Sequence, residues 1–251
     1  MDAPIKHPEV LQDAGYNRQR SDPLPGDYGY YLHLSDLRMG LEQFATTAPI
    51  KVLDYGSGGS PYRSLFPHAD YRRADIGPSD DLDYALDLTG KIPEPAATFD
   101  LILSTQVVEH VKEPAGYFAE CFRLLKPGGR LICTTHGTFE DHGCPADYQR
   151  WTAYGLQRDL EVAGFQVTGV SKLTTGPRAV LFLIDRGWLK APAKGLLGIT
   201  LILVRGALKV LRPQVHRMCD ATLANYRVVA SNLDDHPLYV GLLITCVRPE
   251  T

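Results

Sequence analysis

Short apolar runs alternate with helical patterns along most of the 251 residues of this chain. Hydrophobic residues make up 44% and charged residues 22% of the sequence, which is ordinary for a globular protein. Alternation of this kind predicts a parallel sheet with helices on both faces. We therefore predict an α/β fold that is Rossmann-like and doubly wound, with a mostly parallel seven-stranded sheet and a helical insertion before the last strand. The predicted strands are residues 50–54, 71–76, 84–88, 99–104, 130–135, 165–171 and 239–247, and the predicted helices are residues 30–44, 114–125 and 152–163.

A glycine-rich loop, residues 52–61 (VLDYGSGGSP), follows the first predicted strand. Glycine lets a ligand approach the backbone, and Ser60 and Pro61 suit the N-cap and first position of a following helix. A simple structural turn would also explain one such loop. The dinucleotide pattern G-x-G-x-x-G would place its third glycine at position 61, so the proline there disfavours NAD or FAD. A P-loop is excluded because no Gly-Lys-Ser/Thr follows.

Acidic residues stand at the ends of three predicted strands: Asp54, Asp75 and Asp87. Carboxyl ends of parallel strands meet at one edge of the sheet, where a carboxylate at Asp75 can accept hydrogen bonds from ribose hydroxyls. Asp87 is placed to receive an adenine amino group. Each acid alone is most simply a solvated loop charge, but three acids beside three glycines indicate a nucleoside site.

At these residues the sequence resembles the class I S-adenosylmethionine-dependent methyltransferases, especially the bacterial small-molecule and glycan branch called type 11. The resemblance runs from about residue 50 to residue 167 and includes FDLILSTQVVEHVKEP (99–114) and FRLLKPGGRLICTT (122–135). It implies S-adenosylmethionine as the cofactor. The glycine order departs slightly from the commonest D-x-G-x-G-x-G form. The resemblance implies that Asp54, Gly56 and Gly58 hold the methionine part with Gly59 beside them, that Asp75 binds ribose, that Asp87 and Leu88 flank adenine, and that Gln106 and Val107 line the pocket.

His110 is the candidate general base, because it follows the predicted cofactor-contacting strand and a histidine titrates near neutrality. A capping or packing role is the alternative. His136, His142, Tyr148 and Arg150 fall in and after the loop beyond the fifth strand, so we predict that they contact the acceptor. Arg150 could bind a carboxylate or phosphate, or form a salt bridge that fixes the loop. His136, His142 and Cys144 lack a fourth ligand at suitable spacing, so no metal site is predicted.

We interpret residues 1–49 as an N-terminal lead-in and helix, and residues 50–251 as the methyltransferase domain. Residues 175–236 form a basic, apolar insertion within it. Arg205, Lys209 and Arg212 repeat there at helical spacing. A lid or a homodimer contact is the preferred interpretation of the insertion, and peripheral contact of 195–217 with an anionic membrane is the alternative.

The expected location is the cytoplasm, with the inner face of the membrane as a peripheral site, because the N-terminal residues lack an apolar signal segment and the five cysteines form no disulfide pattern. A formal net charge of −3 gives no general attraction to nucleic acid.

The function that these features predict is methyl transfer from S-adenosylmethionine to a small-molecule or glycan acceptor, with oxygen as the expected atom. A non-catalytic binding or regulatory protein on the same fold is the alternative, and a nicotinamide-dependent oxidoreductase is a third hypothesis.

Overall fold

The computed structural model describes residues 14–27, 29–76, 82–87, 89–143, 146–190, 195–230 and 235–250. The predicted roles of Leu88 and Cys144 lie outside these residues. The strands are β1 (Lys51–Tyr55), β2 (Asp70–Ile76), β3 (Tyr84–Leu86), β4 (Phe99–Thr105), β5 (Leu125–His136), β6 (Gln166–Thr175), β7 (Val228–Ala230) and β8 (Tyr239–Val247). The helices are α1 (Ala14–Ser21), α2 (Tyr31–Glu42), α3 (Pro114–Leu124), α4 (Ala153–Val162), α5 (Gly176–Lys190) and α6 (Gly195–Thr222).

One sheet contains all eight strands, in the order β3-β2-β1-β4-β5-β8-β6-β7. Pairing is parallel from β3 to β5, and β8 is antiparallel to both β5 and β6. The Rossmann-like, mostly parallel sheet is therefore confirmed, but the strand number of seven is wrong. The additional strand, β7, pairs with β6 at the sheet edge. Its three residues are too short to show an alternating pattern in the sequence.

Helices cover both faces of the sheet, as a parallel sheet requires. On one face, Leu53 and Ile102 pack with residues of α3 and α4. On the other face, Val52 and Leu103 pack with α2. Neighbouring positions along β1 and β4 thus point into two separate cores, and the site described below lies at the carboxyl ends of these strands.

The prediction of a helix after the glycine loop is wrong. Only a short 3-10 turn, Arg63–Leu65, follows the loop. Ser60 has a left-handed backbone (φ +53°) instead of the extended conformation typical of an N-cap. Tyr62, Leu65 and Phe66 are buried in the cluster that also holds α2, so α2 fills the space on this face that the expected helix would need.

The insertion consists of α5, α6 and β7, and its basic residues do not form the single exposed face that the sequence indicates. Arg212 is buried and pairs with Asp185 (3.3 Å). Arg178 is fully buried and binds both carboxylate oxygens of Asp36 on α2, at 2.7 and 2.9 Å. Its guanidinium also donates to Asp220 on α6 (2.9 Å), and Arg227 donates to the same Asp36 (2.8 Å), so two arginines join the insertion to the body of the fold.

Several large apolar residues of the insertion are exposed, beside the exposed Lys209 and Arg217. Ile202, Leu203 and Val210 of α6 are each more than half exposed. Within the described part of the chain, no helix combines the length and apolar character needed to cross a membrane.

Candidate active site

The glycine loop turns sharply where β1 ends. Gly56 (φ +84°) and Gly58 (φ +48°) have left-handed backbones, which glycine adopts without a Cβ clash. The Gly56 and Ser57 N–H groups both donate to the Ala74 carbonyl in β2, at 2.8 and 3.0 Å. A Cβ on Gly56 would lie 2.5 Å from a methyl carbon of Val107. Gly56 therefore lets the loop after β1 pack directly on the loop after β4.

Asp54 lies in β1 with its carboxylate buried below this loop. The Tyr71 hydroxyl donates to Asp54 Oδ2 (2.7 Å). Asp54 Oδ1 is buried and accepts no hydrogen bond from the described residues. Burial raises the pKa of Asp54 to about 6. A donor from a ligand, such as an ammonium group, would satisfy this oxygen and stabilise the ionised carboxylate.

Asp75 at the end of β2 is held against the glycine loop. Gly58 N–H donates to Asp75 Oδ2 (2.6 Å), and Ile76 N–H donates to Asp75 Oδ1 (2.7 Å). The carboxylate is mostly buried. The structure therefore brings together the acid and the glycines that the sequence assigns to one nucleoside site.

Gln106 and Val107 follow β4 and face the same loop. Gln106 has a left-handed backbone (φ +57°) that is uncommon for a residue with a side chain. Its N–H donates to the Thr134 carbonyl (3.0 Å), and its side-chain oxygen lies 3.5 Å from His33 Nε2. The Val107 side chain lies against Gly56.

Two other predicted cofactor residues are placed differently from these. Asp87 is exposed, and its carboxylate accepts from the Thr89 N–H (2.8 Å) and hydroxyl (2.6 Å). Gly59 faces α1, because a Cβ there would lie 2.1 Å from Asn17 Nδ2. Gly59 thus makes room for the N-terminal helix, and contact of either residue with a cofactor stays a prediction.

A cluster of four histidines and one glutamate lies beside this pocket. His33, on α2, packs against the ring of His136 at the end of β5 (centroids 5.4 Å apart). His142 lies against both His136 (4.9 Å) and His110 (4.8 Å). Glu109 is fully buried, and its Oε1 is 3.3 Å from His136 Nε2. Half of the eight histidines of the chain therefore meet at one place.

His110 is oriented by a backbone contact in the 3-10 turn Val108–His110. Its Nδ1–H donates to the Ala146 carbonyl (2.6 Å), which makes Nε2 the acceptor nitrogen. Burial lowers the pKa of His110, so the neutral ring is favoured near pH 7. A neutral imidazole with a fixed tautomer has the form that a general base requires.

Glu109 and His136 are held by their own partners. The Thr135 hydroxyl donates to Glu109 Oε2 (2.8 Å), and burial raises the pKa of Glu109 to about 7. The His136 ring stacks on Phe139 at 3.8 Å, and burial lowers the pKa of His136 well below its usual value. Both groups are therefore poorly solvated.

Arg150 fixes the loop after β5. Its guanidinium binds both carboxylate oxygens of Asp147 and donates to the Glu140 carbonyl (3.0 Å). His142 Nδ1 is 3.2 Å from Asp147 on its other side. These contacts correspond to the second of the two predicted roles of Arg150, a salt bridge that fixes the loop. Tyr148 is 54% exposed, so its contact with an acceptor stays a prediction.

Sequence reasoning missed three residues of this site: His33, Glu109 and Arg20. His33 lies in α2, a helix that is predicted from its apolar positions alone. Glu109 precedes His110, and the prediction of a base concerns the histidine only. Arg20, on α1, stacks over the Tyr16 ring (4.7 Å) and is close enough to affect the pKa of Glu109. The only sequence signal was the Glu-His pair at 109–110.

Comparisons with known proteins bear on one segment of the sequence and on the fold. Residues 53–133 match a family described as "Methyltransferase domain". The ubiquinone biosynthesis O-methyltransferase of Maricaulis maris is 31% identical over 102 residues, which cover 34% of this chain and 40% of that enzyme. The matched segment thus spans about two fifths of the relative.

Solved structures share the fold over a longer stretch. Phosphoethanolamine N-methyltransferase 2 of Haemonchus contortus, solved with S-adenosyl-L-methionine, has a TM-score of 0.52 at 16% identity, and the match covers 98% of this chain and 60% of that chain. The [4+2]-cyclase SpnF has a TM-score of 0.52 at 18% identity, and the match covers 88% of this chain and 83% of that chain. At these identities the likeness shows the fold alone.

Residues 53–133 are thus similar to a methyltransferase domain, and the fold is the one shared with class I S-adenosylmethionine-dependent methyltransferases. Within this class the matched family is the type 11 methyltransferase domain.

Proposed function

We propose that the protein transfers the methyl group of S-adenosylmethionine to an oxygen atom of a small-molecule or glycan acceptor. The observation that carries this proposal is the direct contact between the glycine loop at Gly56 and the loop at Val107, which continues through Glu109 and His110 into the histidine cluster. A cofactor on the glycine loop would present its methyl group toward that cluster.

In this proposal Asp54, Gly56 and Gly58 hold the methionine part and Asp75 binds the ribose. Asp87 and Leu88 flank adenine, Gln106 and Val107 line the pocket, and Gly59 shapes the loop.

The acceptor lies against His136 and His142, with Tyr148 and Arg150 in the loop that closes over it. The acceptor oxygen attacks the methyl carbon, the S–CH₃ bond breaks, and its electron pair stays on the sulfur of S-adenosylhomocysteine. His110 Nε2 takes the proton that the hydroxyl loses.

Oxygen is the proposed atom because the Maricaulis maris relative is named an O-methyltransferase and because a neutral histidine suits removal of a hydroxyl proton. The test is methyl transfer from labelled S-adenosylmethionine into fractions of a cell extract, including lipid fractions. Mass spectrometry of the labelled product then identifies the methylated atom. A folded protein that binds no S-adenosylmethionine would support the non-catalytic alternative, and binding of NADH would support an oxidoreductase.

Asp75→Ala is expected to weaken S-adenosylmethionine binding by about 1–3 kcal/mol, roughly 5- to 150-fold, because charged hydrogen bonds to the ribose are lost. Isothermal titration calorimetry measures the change. Asp70→Ala, an exposed acid at the start of β2 that pairs with Arg72, is the matched control. Unchanged affinity in a folded Asp75→Ala protein would show that the ribose binds elsewhere.

We also propose that the outer surface of α5 and α6 rests on an anionic membrane at the inner face. Val180 and Ile184 on α5 and Ile202, Leu203 and Val210 on α6 are exposed apolar residues, and exposed apolar residues in such numbers are typical of an interaction surface. Lys209 and Arg217 are exposed on the same helix and would face lipid headgroups.

The protein is expected to sediment with phosphatidylglycerol vesicles. A variant with Ile202→Ser, Leu203→Ser and Val210→Ser should stay in the supernatant, because it lacks the apolar surface that would enter the bilayer. Val162→Ser, which changes an exposed valine on α4, should sediment like the unchanged protein. Absence of vesicle binding, together with a dimer that the triple variant disrupts, would assign the surface to a second copy instead.

A further inference from the structure

We propose that Glu109, His136 and His142 form a binding site for one divalent transition-metal ion such as Zn²⁺. One ligand atom from each residue lies within 4.8 Å of the others. Two of these atoms, Glu109 Oε1 and His136 Nε2, are 3.3 Å apart, close to the roughly 3.4 Å expected between ligands bonded to one zinc ion at about 2.1 Å. This proposal departs from the sequence-based expectation of no metal, which lacked Glu109.

The donor atoms have unshared electron pairs that a cation could accept. Glu109 Oε1 is buried and receives no hydrogen bond from the described residues. His136 is buried and His142 is half-buried, and both rings lie beside Glu109 with ligand atoms within 4.8 Å of one another. Two imidazoles and one carboxylate are a donor set for zinc and other divalent first-row metals, and they leave coordination positions open.

Outer contacts orient two of the three ligands. The His142 backbone N–H donates to Asp147 Oδ2 (2.9 Å), and the same carboxylate lies 3.2 Å from His142 Nδ1, within reach of the carboxylate–histidine contact common at metal sites. The Thr135 hydroxyl holds the second oxygen of Glu109 (2.8 Å). Arg150 is paired with Asp147, and Arg20 stacks over the Tyr16 ring (4.7 Å).

A metal ion at this site would also take part in methyl transfer, and this part of the inference rests on the proposed function. A metal ion in an open coordination site polarises a bound hydroxyl and positions it. The acceptor class would then be a molecule whose hydroxyl, or hydroxyl and neighbouring oxygen, binds a divalent metal. Metal binding itself is measured without any acceptor.

The test uses the full, metal-stripped chain with Co²⁺ and Zn²⁺. We expect one Co²⁺ per chain with the intense visible bands of four- or five-coordinate cobalt, and we expect Zn²⁺ to displace it. Glu109→Gln, His136→Gln and His142→Gln should each lose these bands. Asp147→Asn should weaken Zn²⁺ binding by about 10- to 100-fold. His68→Gln, an exposed histidine near Thr47, should bind like the unchanged protein.

Circular dichroism and S-adenosylmethionine calorimetry on every variant separate loss of ligand from loss of fold. The inference is overturned if cobalt shows only its weak six-coordinate spectrum. Retention of the bands by the three ligand variants, or a cysteine-thiolate charge-transfer band, would also overturn it. Zn²⁺ binding without S-adenosylmethionine binding would refute the proposed function and leave the metal site standing. S-adenosylmethionine binding without Zn²⁺ binding would refute the metal site and leave the proposed function standing.

Discussion

Arg178→Ala is expected to lower the free energy of unfolding by about 3–5 kcal/mol, because it leaves the buried Asp36 carboxylate without its main partner. Arg178 and Asp36 are both fully buried, so water cannot replace the lost hydrogen bonds. Denaturation by urea, followed by circular dichroism, measures the change.

The matched control for this prediction is Arg158→Ala. Arg158 is 74% exposed and pairs with Asp159 (2.7 Å), and such surface pairs contribute about 0–1 kcal/mol. Equal, small losses in both variants would contradict the account of Arg178 as the main one of the contacts, with Arg227–Asp36 and Tyr31–Asp220, that join the insertion to α2. A separate low-temperature transition in Arg178→Ala would indicate that the insertion detaches before the sheet unfolds.

Gly56→Ala is expected to weaken S-adenosylmethionine binding at least roughly fivefold and to lower the free energy of unfolding by about 1–3 kcal/mol, because the new residue is strained at a positive φ. Its Cβ would also lie 2.5 Å from Val107. Calorimetry and thermal unfolding measure the two effects.

Two further variants show whether the contact itself is responsible. Gly116→Ala adds a Cβ in open space on α3, and should leave cofactor binding unchanged. Val107→Ala in the Gly56→Ala background removes the methyl groups in closest contact, and should restore part of the lost stability. Gly56→Ala that binds the cofactor like the unchanged protein would show that this turn lies outside the binding site.

Much of the sheet could be predicted from the sequence because its central strands are buried on both faces. The strands β4 and β8 are mostly apolar and almost wholly buried. The missing helix after the glycine loop depends on α2, which lies earlier in the chain and occupies that face. The local sequence carries no information about this competition.

The cofactor side of the site could be predicted for a similar reason. Asp54 and Asp75 are at strand ends, and parallel strands bring those ends together whatever the detail of the loops. The histidine cluster depends on α2, the turn after β4 and the loop after β5, which are far apart in sequence. Its assembly therefore required the structure.

The insertion shows the limit of helical periodicity. Arg205, Lys209 and Arg212 lie at helical spacing, which indicates one basic face. In the structure Arg212 points inward to Asp185, while Leu203 and Val210 are exposed. Periodicity groups residues on one side of a helix, but it cannot determine which side packs against the protein.

The central claim is that the crevice formed by residues 56–58, Asp75 and Val107 binds S-adenosylmethionine. Crystals grown with S-adenosylhomocysteine test it most directly. We predict density for the homocysteine part against Gly56 and Gly58, with the ribose hydroxyls within hydrogen-bond distance of Asp75. A crevice that stays empty at saturating ligand, or a ligand bound elsewhere on the chain, would contradict the account.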